Sequence, residues 1–487
     1  MQILFLNPHY MGRFSRASRS PAVAKGGTLY YPLWLAYAEG WAHKNGHDTR
    51  LFDAPARQAT MEDLDRYLDG WRPALTVVET STPSIHHDST VAVQIKERFP
   101  EGFVLLVGTH PSALPEESLL RHPAIDAVAI GEYDATVTEL AAALENRQPP
   151  GEVPGLAIRE GETIRTTAPR EKRHDLDAIP FVSEVYARHL HVPDYFFAAA
   201  NHPMAMIITG RGCPHQCFFC VYPQVFHSHR YRVRSARNVV DELEYIRRHL
   251  PMVREVGIED DCFTASPSHV RGICEEILAR GIKIQWYCNV RGDVKKDLLA
   301  LMKRAGCRLV TVGFESGDQA LLDNMKKGIK LEKYHQFVRD VKEAGILVHG
   351  CIMAGNPGET RASLEASYRF AVEVNCDSMQ FYPLYLYPGT EAYDWAEKNG
   401  YLSTTDFSQW LDGDGQHNCV LNTPELSSRE LVQLCNDYMR RYHLRPRYLL
   451  MKVWQALRNP REGYRSLVSA QQFFGKMLLK GIRERLA

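Results

Sequence analysis

Three cysteines stand within eight residues of one another, Cys213, Cys217 and Cys220 in the stretch GRGCPHQCFFCVYP. A tetrahedral zinc site takes four ligands and a disulfide two, so three thiols at C-x-x-x-C-x-x-C spacing pose a question of stoichiometry. Thiolates so spaced can hold three irons of a 4Fe-4S cluster and leave the fourth iron open to an incoming ligand. A zinc site completed by His215 and a set of unrelated buried thiols are the other readings of the same residues. Just beyond, HSHRYRVR (His227 to Arg234) places two histidines among three arginines. That combination suits an anionic headgroup, or equally a solvated surface loop.

Such residues need a scaffold, and the chain offers two α/β rhythms. QILFLNP, HDTRLFDA, ALTVVETST, EGFVLLVGTH and IDAVAIGE are short apolar runs ending in turn residues, with helical stretches such as MEDLDRYLDGW between them. Five strands alternating with helices imply a parallel, doubly wound Rossmann-like sheet, whose ligands bind outside the strands' carboxyl ends. The loops there are NPHY, TSTPS, GTHPSALPEE and GEYD. GLAIREGETIRTTAP then reads as a hairpin about a Gly-Glu turn. A second rhythm follows in MAMIITGRG, REVGIEDD, KIQWYCNVR, RLVTVGFES, ILVHGCIMAG and DSMQFYPLYLYPGT. Six βα units predict a partial (β/α)6 barrel of TIM type, with the cysteines in the loop after its first strand. The expected division is a doubly wound domain over 1–150, a connector over 151–200, the barrel over 201–395 and a helical region over 396–487.

The length of 487 residues exceeds one core of typical size, at roughly 150 residues per domain. Lys plus Arg and Asp plus Glu both number 58, so no overall field draws the chain to nucleic acid, and no such partner is expected. Eleven scattered cysteines fit a reducing compartment, by default the cytoplasm. MQILFLNPHYMGRF lacks a basic segment ahead of its short apolar run and reads as a strand rather than a signal peptide, and no window nears ~20 uninterrupted apolar residues. Residues 445–487 carry ten Lys or Arg against two acidic residues, interleaved with Trp454, Phe473, Phe474, Leu478 and Leu479. A basic amphipathic segment of this kind suits peripheral contact with the inner face of a membrane, or packing on the barrel.

The cysteine loop, with Phe219 just before its last cysteine, resembles the hallmark of the radical S-adenosylmethionine (SAM) superfamily. The resemblance implies that the open iron chelates SAM, whose reductive cleavage yields a 5′-deoxyadenosyl radical, with an electron donor such as flavodoxin or ferredoxin. GIEDDCFT looks like the family's acidic segment, with Glu259, Asp260 and Asp261 as candidates beside the SAM ammonium. VGFESGDQALLDNMKKG is similar to its fourth-strand segment, placing Glu315 and Ser316 near SAM, and GCIMAGNPGET resembles its glycine-rich fifth-strand segment, where Gly355 admits close approach of the backbone.

YYPLWLAYAEG, DAPA, VGTHPSALPEESL and AIGEYDATVTEL resemble the cobalamin-binding domain that precedes the barrel in the B12-dependent branch of that superfamily. By that resemblance Gly108, Thr109, His110 and Ser112 would contact the cobalamin tail, Ser81, Thr82 and Ser84 would lie near the corrin face, and Gly131 and Glu132 would close the pocket. A domain that keeps the shape without the cofactor is the other reading. The D-x-H-x-x-G motif that ligates cobalt in the B12 mutases is absent, which implies a cobalt with no histidine below it. IPFVSEVYARHL, TGRGC, YPQVFHSHRYRVRS and EDDCFT are similar to segments of the radical SAM proteins of hopanoid cyclitol-ether biosynthesis, with the anaerobic magnesium-protoporphyrin monomethyl ester cyclases more distant.

Cys288 and Cys351 fall on barrel strands, where an inward thiol could donate a hydrogen atom to a product radical and an outward one would be a small core residue. Tyr387, in YPGT at the end of the sixth strand, is the third catalytic candidate. His86 and His87 follow TSTPSI and could approach the corrin or simply open a helix. The function expected is a cobalamin-dependent radical SAM methyltransferase acting on an unactivated carbon of a small-molecule or lipid intermediate. Radical rearrangement, ring contraction or cyclisation in lipid or tetrapyrrole metabolism is the alternative, and a non-catalytic iron-sulfur or cobalamin sensor the second.

Overall fold

The computed structural model describes residues 1–471; the expectations placed on Phe473, Phe474, Leu478 and Leu479 lie outside the described residues. Strands β1 (Gln2–Asn7), β2 (Asp48–Asp53), β3 (Leu75–Glu79), β4 (Phe103–Val107), β5 (Ala127–Ala129), β6 (Leu156–Glu160) and β7 (Thr163–Thr166) form one sheet in the order β2-β1-β3-β4-β5-β6-β7. β1 to β5 pair in parallel. Helices cover both faces of such a sheet, which is why β1, β3, β4 and β5 read as continuous apolar runs, while β2 at the edge alternates. The winding reverses between β1 and β3, whose carboxyl ends open the crevice where such sheets take ligands. The hairpin beyond residue 150 is β6 and β7; β6 pairs antiparallel with β5, so the hairpin extends the edge of the first sheet.

β8 (Met204–Ile207) opens the second sheet. A short antiparallel ladder of β9 (Gly210–Arg211) and β10 (Arg232–Val233) then clasps the base of the cysteine loop. β11 (Glu255–Ile258), β12 (Gln285–Val290), β13 (Cys307–Glu315), β14 (Leu347–Ala354) and β15 (Ser378–Pro383) follow in sequential order, all parallel, with β8 and β15 as the two edges of an open barrel. Three of the intervening helices start at Ser or Thr side-chain caps: Ser235 accepts from Asn238 N, Ser266 from His269 N and Thr360 from Ser363 N. Edge strand β8 is protected by the first half of the chain. Tyr31 and Tyr186 donate to the carbonyls of Met204 (2.7 Å) and Met206 (3.0 Å), and Tyr37 accepts from Ile208 N (3.1 Å).

After the helix Glu391–Lys398 the chain departs from the helical expectation. Residues 399–427 hold no α-helix, only isolated bridges (Leu402 with Leu421, Leu411 with His417) and a 3-10 turn, Phe407–Trp410, that packs on the turn Thr82–Ser84. Helices resume at Ser428–His443, Pro446–Arg458 and 460–471. No helix among the described residues is long and apolar enough to cross a membrane. One buried apolar cluster runs from Ile3 to Tyr448 through both sheets, so the two halves share a core.

Candidate functional site

Gly212 starts the cysteine loop with φ +89, and a Cβ there would overlap the Arg230 carbonyl, so the clasp closes only on glycine. Gln224 sits on a single π-turn, Tyr222–Phe226. Its amide reaches the carbonyls of Cys217 (3.2 Å), Phe218 (3.0 Å) and Cys220 (3.1 Å), while its own oxygen accepts from Glu391 N (2.9 Å). No pattern in the sequence singles out Gln224, one polar residue in an apolar turn. Burial raises the Cys217 and Cys220 thiols; a hydrogen bond with Cys262, then burial, raises Cys213. Thiols so placed are driven to thiolate by a metal cation, the chemistry of an iron-binding sulfur set. Lys327 and Arg291 lie near Cys217, and Asp261 and Arg19 near Cys220.

The three carboxylates after β11 have different roles. Asp260 accepts from Thr209 N, Thr209 Oγ1 and Tyr231 Oη, each at 2.6 Å. It is buried and fully bonded, its carboxyl raised to about 6 by burial, and it ties the end of β8 to the returning cysteine loop. This corrects its expected place beside a cationic ligand. Glu259 meets Arg19 (3.1 Å), Tyr287 Oη (3.1 Å) and Asn289 (3.3 Å). Asp261 has Arg19 at 3.8 Å and keeps the most capacity for a cation. Arg19, which sequence reasoning missed, arrives from the long loop after β1 and also donates to the carbonyls of Glu259 and Asp260, both at 2.8 Å.

Glu315 has φ +65 beside a bulge at the end of β13, a conformation sparsely populated outside glycine and concentrated at functional positions. Lys327 Nζ (2.8 Å) and Tyr382 Oη (3.3 Å) hold its carboxylate. The hydroxyl of Ser316, next to it, is buried between Ser367 Oγ and Asp318 N, both at 3.1 Å. At Gly355, with φ +98, an added Cβ would meet Leu421 at 2.8 Å and Leu431 at 3.1 Å, so this position takes only glycine. The groups left seeking a partner in that loop are Asn356 Oδ1 and Glu359 Oε1, both buried, with the Glu359 carboxyl raised to about 7 by burial. Both stand in the motif GCIMAGNPGET, where the glycines drew the reading instead.

Tyr287 and Asn289 of β12 turn to Glu259, so Cys288 between them points outward, buried against Cys307 and Cys274. It does not face the lumen, which corrects its candidacy. Cys351 does lie with Glu315 and Lys327 inside the barrel. Tyr387 Oη is buried without a partner among the described residues.

At the first sheet's crevice, Ser81 Oγ and Ser84 Oγ lie 2.9 Å apart, and Ser84 donates to Asp88 (2.6 Å), itself paired with buried Arg16 (2.6 Å). His110 Nδ1 lies 3.3 Å from Thr82 Oγ1, and burial lowers its pKa to about 3, so the ring is neutral. Gly108, with φ +123, lets β4 pass the Thr80 carbonyl, which a Cβ would overlap. Thr109 begins the short helix that follows, and Ser112 Oγ links the Gly108 carbonyl (2.6 Å) to Gly131 N (2.9 Å). Glu79 Oε2, Thr80 Oγ1, His110 Nε2 and Tyr133 Oη are buried here without partners among the described residues. Burial raises Glu79 to about 8, so it holds its proton at neutral pH.

Glu132 is corrected from pocket wall to clamp. Its carboxylate takes His227 Nδ1 (3.0 Å), Arg211 (3.3 Å) and Arg232, all buried. Arg234 pairs with Glu242 (2.5 Å), so His227, Arg232 and Arg234 of the basic run are committed to buried carboxylates, while Arg230 stands exposed. His86 reaches Asp406 (3.3 Å) and His87 reaches Asp88 (3.1 Å). The two sites face each other across a shared seam. A Cβ on Gly389 of YPGT would meet Val225, just past the cysteine loop, at 2.8 Å and Ala113, of the loop after β4, at 3.1 Å.

The model of the radical SAM superfamily matches residues 207–371, and that of the B12 binding domain matches residues 19–141. The chain carries a radical SAM domain and, ahead of it, a B12-binding domain. This radical SAM chain is similar to an uncharacterised methyltransferase of Pyrococcus horikoshii, 28% identical over 430 residues that cover 88% of this chain and 91% of the relative. It is also 28% identical over 385 residues to the anaerobic magnesium-protoporphyrin IX monomethyl ester cyclase of Cereibacter sphaeroides, covering 76% of this chain and 60% of the relative. Its fold matches the radical S-adenosylmethionine methyltransferase TsrM of Kitasatospora setae at a TM-score of 0.71 and 18% identity, over 91% of this chain and 89% of that one.

Proposed function

We propose that the protein is a cobalamin-dependent radical SAM methyltransferase acting on an unactivated carbon of a small-molecule or lipid intermediate, supplied with electrons by a flavodoxin- or ferredoxin-like donor. The observation that carries this reading is the facing of two ligand-seeking sets across one seam, the three thiols on one side and the unpartnered polar atoms of the B12-type crevice on the other. When bound, the cluster supplies reductive cleavage of SAM, and cobalamin supplies methyl transfer.

The residues present fit these groups. Cys213, Cys217 and Cys220 would hold the cluster, with Gln224 fixing the loop and Lys327 and Arg291 offsetting thiolate charge. Asp261 and Glu259 would face the cationic end of SAM, with Glu315, Asn356 and Glu359 at the other strand ends. Thr80, His110, Tyr133 and protonated Glu79 would bond the polar periphery of cobalamin. Arg19 holds Glu259 in place and keeps the barrel mouth joined to the first domain. Likeness to the cyclase at the same identity keeps ring formation as the second reading.

Anaerobically reconstituted protein given SAM labelled in its methyl group tests the assignment. Methyl transfer yields S-adenosylhomocysteine together with 5′-deoxyadenosine and a labelled product. Deoxyadenosine with no S-adenosylhomocysteine would move the assignment to cyclisation, and neither product would leave a sensor.

A further inference from the structure

The far end of the barrel, where its strands begin, carries a surface that the cofactor sites do not use. Eight of the eleven most exposed large apolar side chains among the described residues lie between 444 and 467. On helix Pro446–Arg458, Leu449, Leu450, Val453, Trp454 and Leu457 recur at helical spacing along one outward stripe, while Tyr448 and Gln455 turn inward to Asp377. Leu450 is 70%, Trp454 55% and Leu457 74% exposed. Tyr464 and Leu467 continue the exposed apolar surface on 460–471.

Charge accompanies the stripe. Residues 444–471 hold six basic side chains and one acidic one, Glu462, which is turned inward to Arg308 and Arg465. Arg447, Arg458 and Arg461 stand exposed, Arg458 stacked 4.4 Å over Trp454. Between these helices and the strand starts lies a cavity of about 910 Å3, walled in part by Lys303, Trp454, Arg458 and Arg461. A flat apolar stripe containing a tryptophan, rimmed by charge of one sign, complements an anionic bilayer: apolar side chains reach the acyl boundary while arginines meet lipid phosphates. A second copy of the chain would cover the apolar area but would bring the same arginines against each other.

We propose that helices Pro446–Arg458 and 460–471 are a membrane-docking surface for anionic lipid. The surface lies at the end opposite the cysteine loop, so docking holds the protein at the bilayer without turning its barrel mouth to it, and the inference does not depend on the reaction catalysed.

Co-sedimentation of the full chain with phosphatidylcholine vesicles, with and without phosphatidylglycerol, tests the proposal. The chain is expected to pellet only where phosphatidylglycerol is present and to be released by salt. Arg447→Glu, Arg458→Glu and Arg461→Glu together should weaken partition by about a hundredfold. Leu450→Asp, Trp454→Asp and Leu457→Asp together should abolish pelleting, with melting temperature and vesicle-free SAM cleavage unchanged; if that variant misfolds, the arginine variant still decides. A chain that stays in the supernatant with phosphatidylglycerol vesicles overturns the proposal. So does unchanged pelleting of both variants, or a concentration-dependent dimer that the aspartate variant dissolves.

Discussion

Among the described residues Glu132 meets two buried arginines and a buried histidine ring at once, and its removal leaves Arg211, Arg232 and His227 Nδ1 without that carboxylate. Breaking a buried pair in this way costs about 3–5 kcal/mol, so Glu132→Gln should lower the melting temperature of the apoprotein markedly and loosen the segment that returns from the cysteine loop. Glu79 gives a pH signature. The unfolded chain loses this proton near 4.5 and the folded chain near about 8, so the group's contribution to stability is full below 4.5 and is lost as pH rises through about 8. The stability of Glu79→Gln relative to wild type should be constant in acid, rise as pH goes from 4.5 to about 8 and level off above that; parallel curves would refute the assignment. The cysteines were legible as residues because spacing alone carries their chemistry. Arg19 and Gln224 were not, because their partners are 240 residues away in one case and backbone carbonyls in the other.

The elements that hold these residues depend on a few backbone positions. Gly108→Ala would force a side chain into a left-handed φ and against the Thr80 carbonyl, a strain of roughly 1–3 kcal/mol. Cobalamin affinity should fall while the cluster still assembles, which equilibrium titration with hydroxocobalamin measures. Gln224→Ala removes the two N–H donors that three carbonyls of the cysteine loop share, each hydrogen bond being worth about 1 kcal/mol. Reconstituted iron per chain should drop and the cluster's paramagnetic resonance broaden, with circular dichroism unchanged. Strands were readable as apolar runs, and their parallel order follows from the helices between them. That β6 and β7 join the first sheet was not readable, since an edge pairing depends on which backbone is left open. The missing helices of 399–427 follow from the job of that segment, in which Phe407 meets His110 edge to face (4.8 Å) and Trp410 donates to the Leu386 carbonyl (2.9 Å).

Across the whole molecule, one apolar core joins the two sheets, and polar ties cross the same seam, Arg19 to Glu259 in one direction and Arg232 to Glu132 in the other. Two ligand sites built on a shared core are fixed relative to each other, which a transfer between two bound groups requires. The most direct test is the absorption spectrum and iron content of the anaerobically purified full chain reconstituted with iron, sulfide and hydroxocobalamin, for wild type and for the Cys213→Ala, Cys217→Ala, Cys220→Ala variant. One cluster and one cobalamin per wild-type chain, with the variant losing the cluster and keeping cobalamin, is the predicted result. A wild-type chain that retains no cobalamin, or a variant that still assembles the cluster, would contradict it.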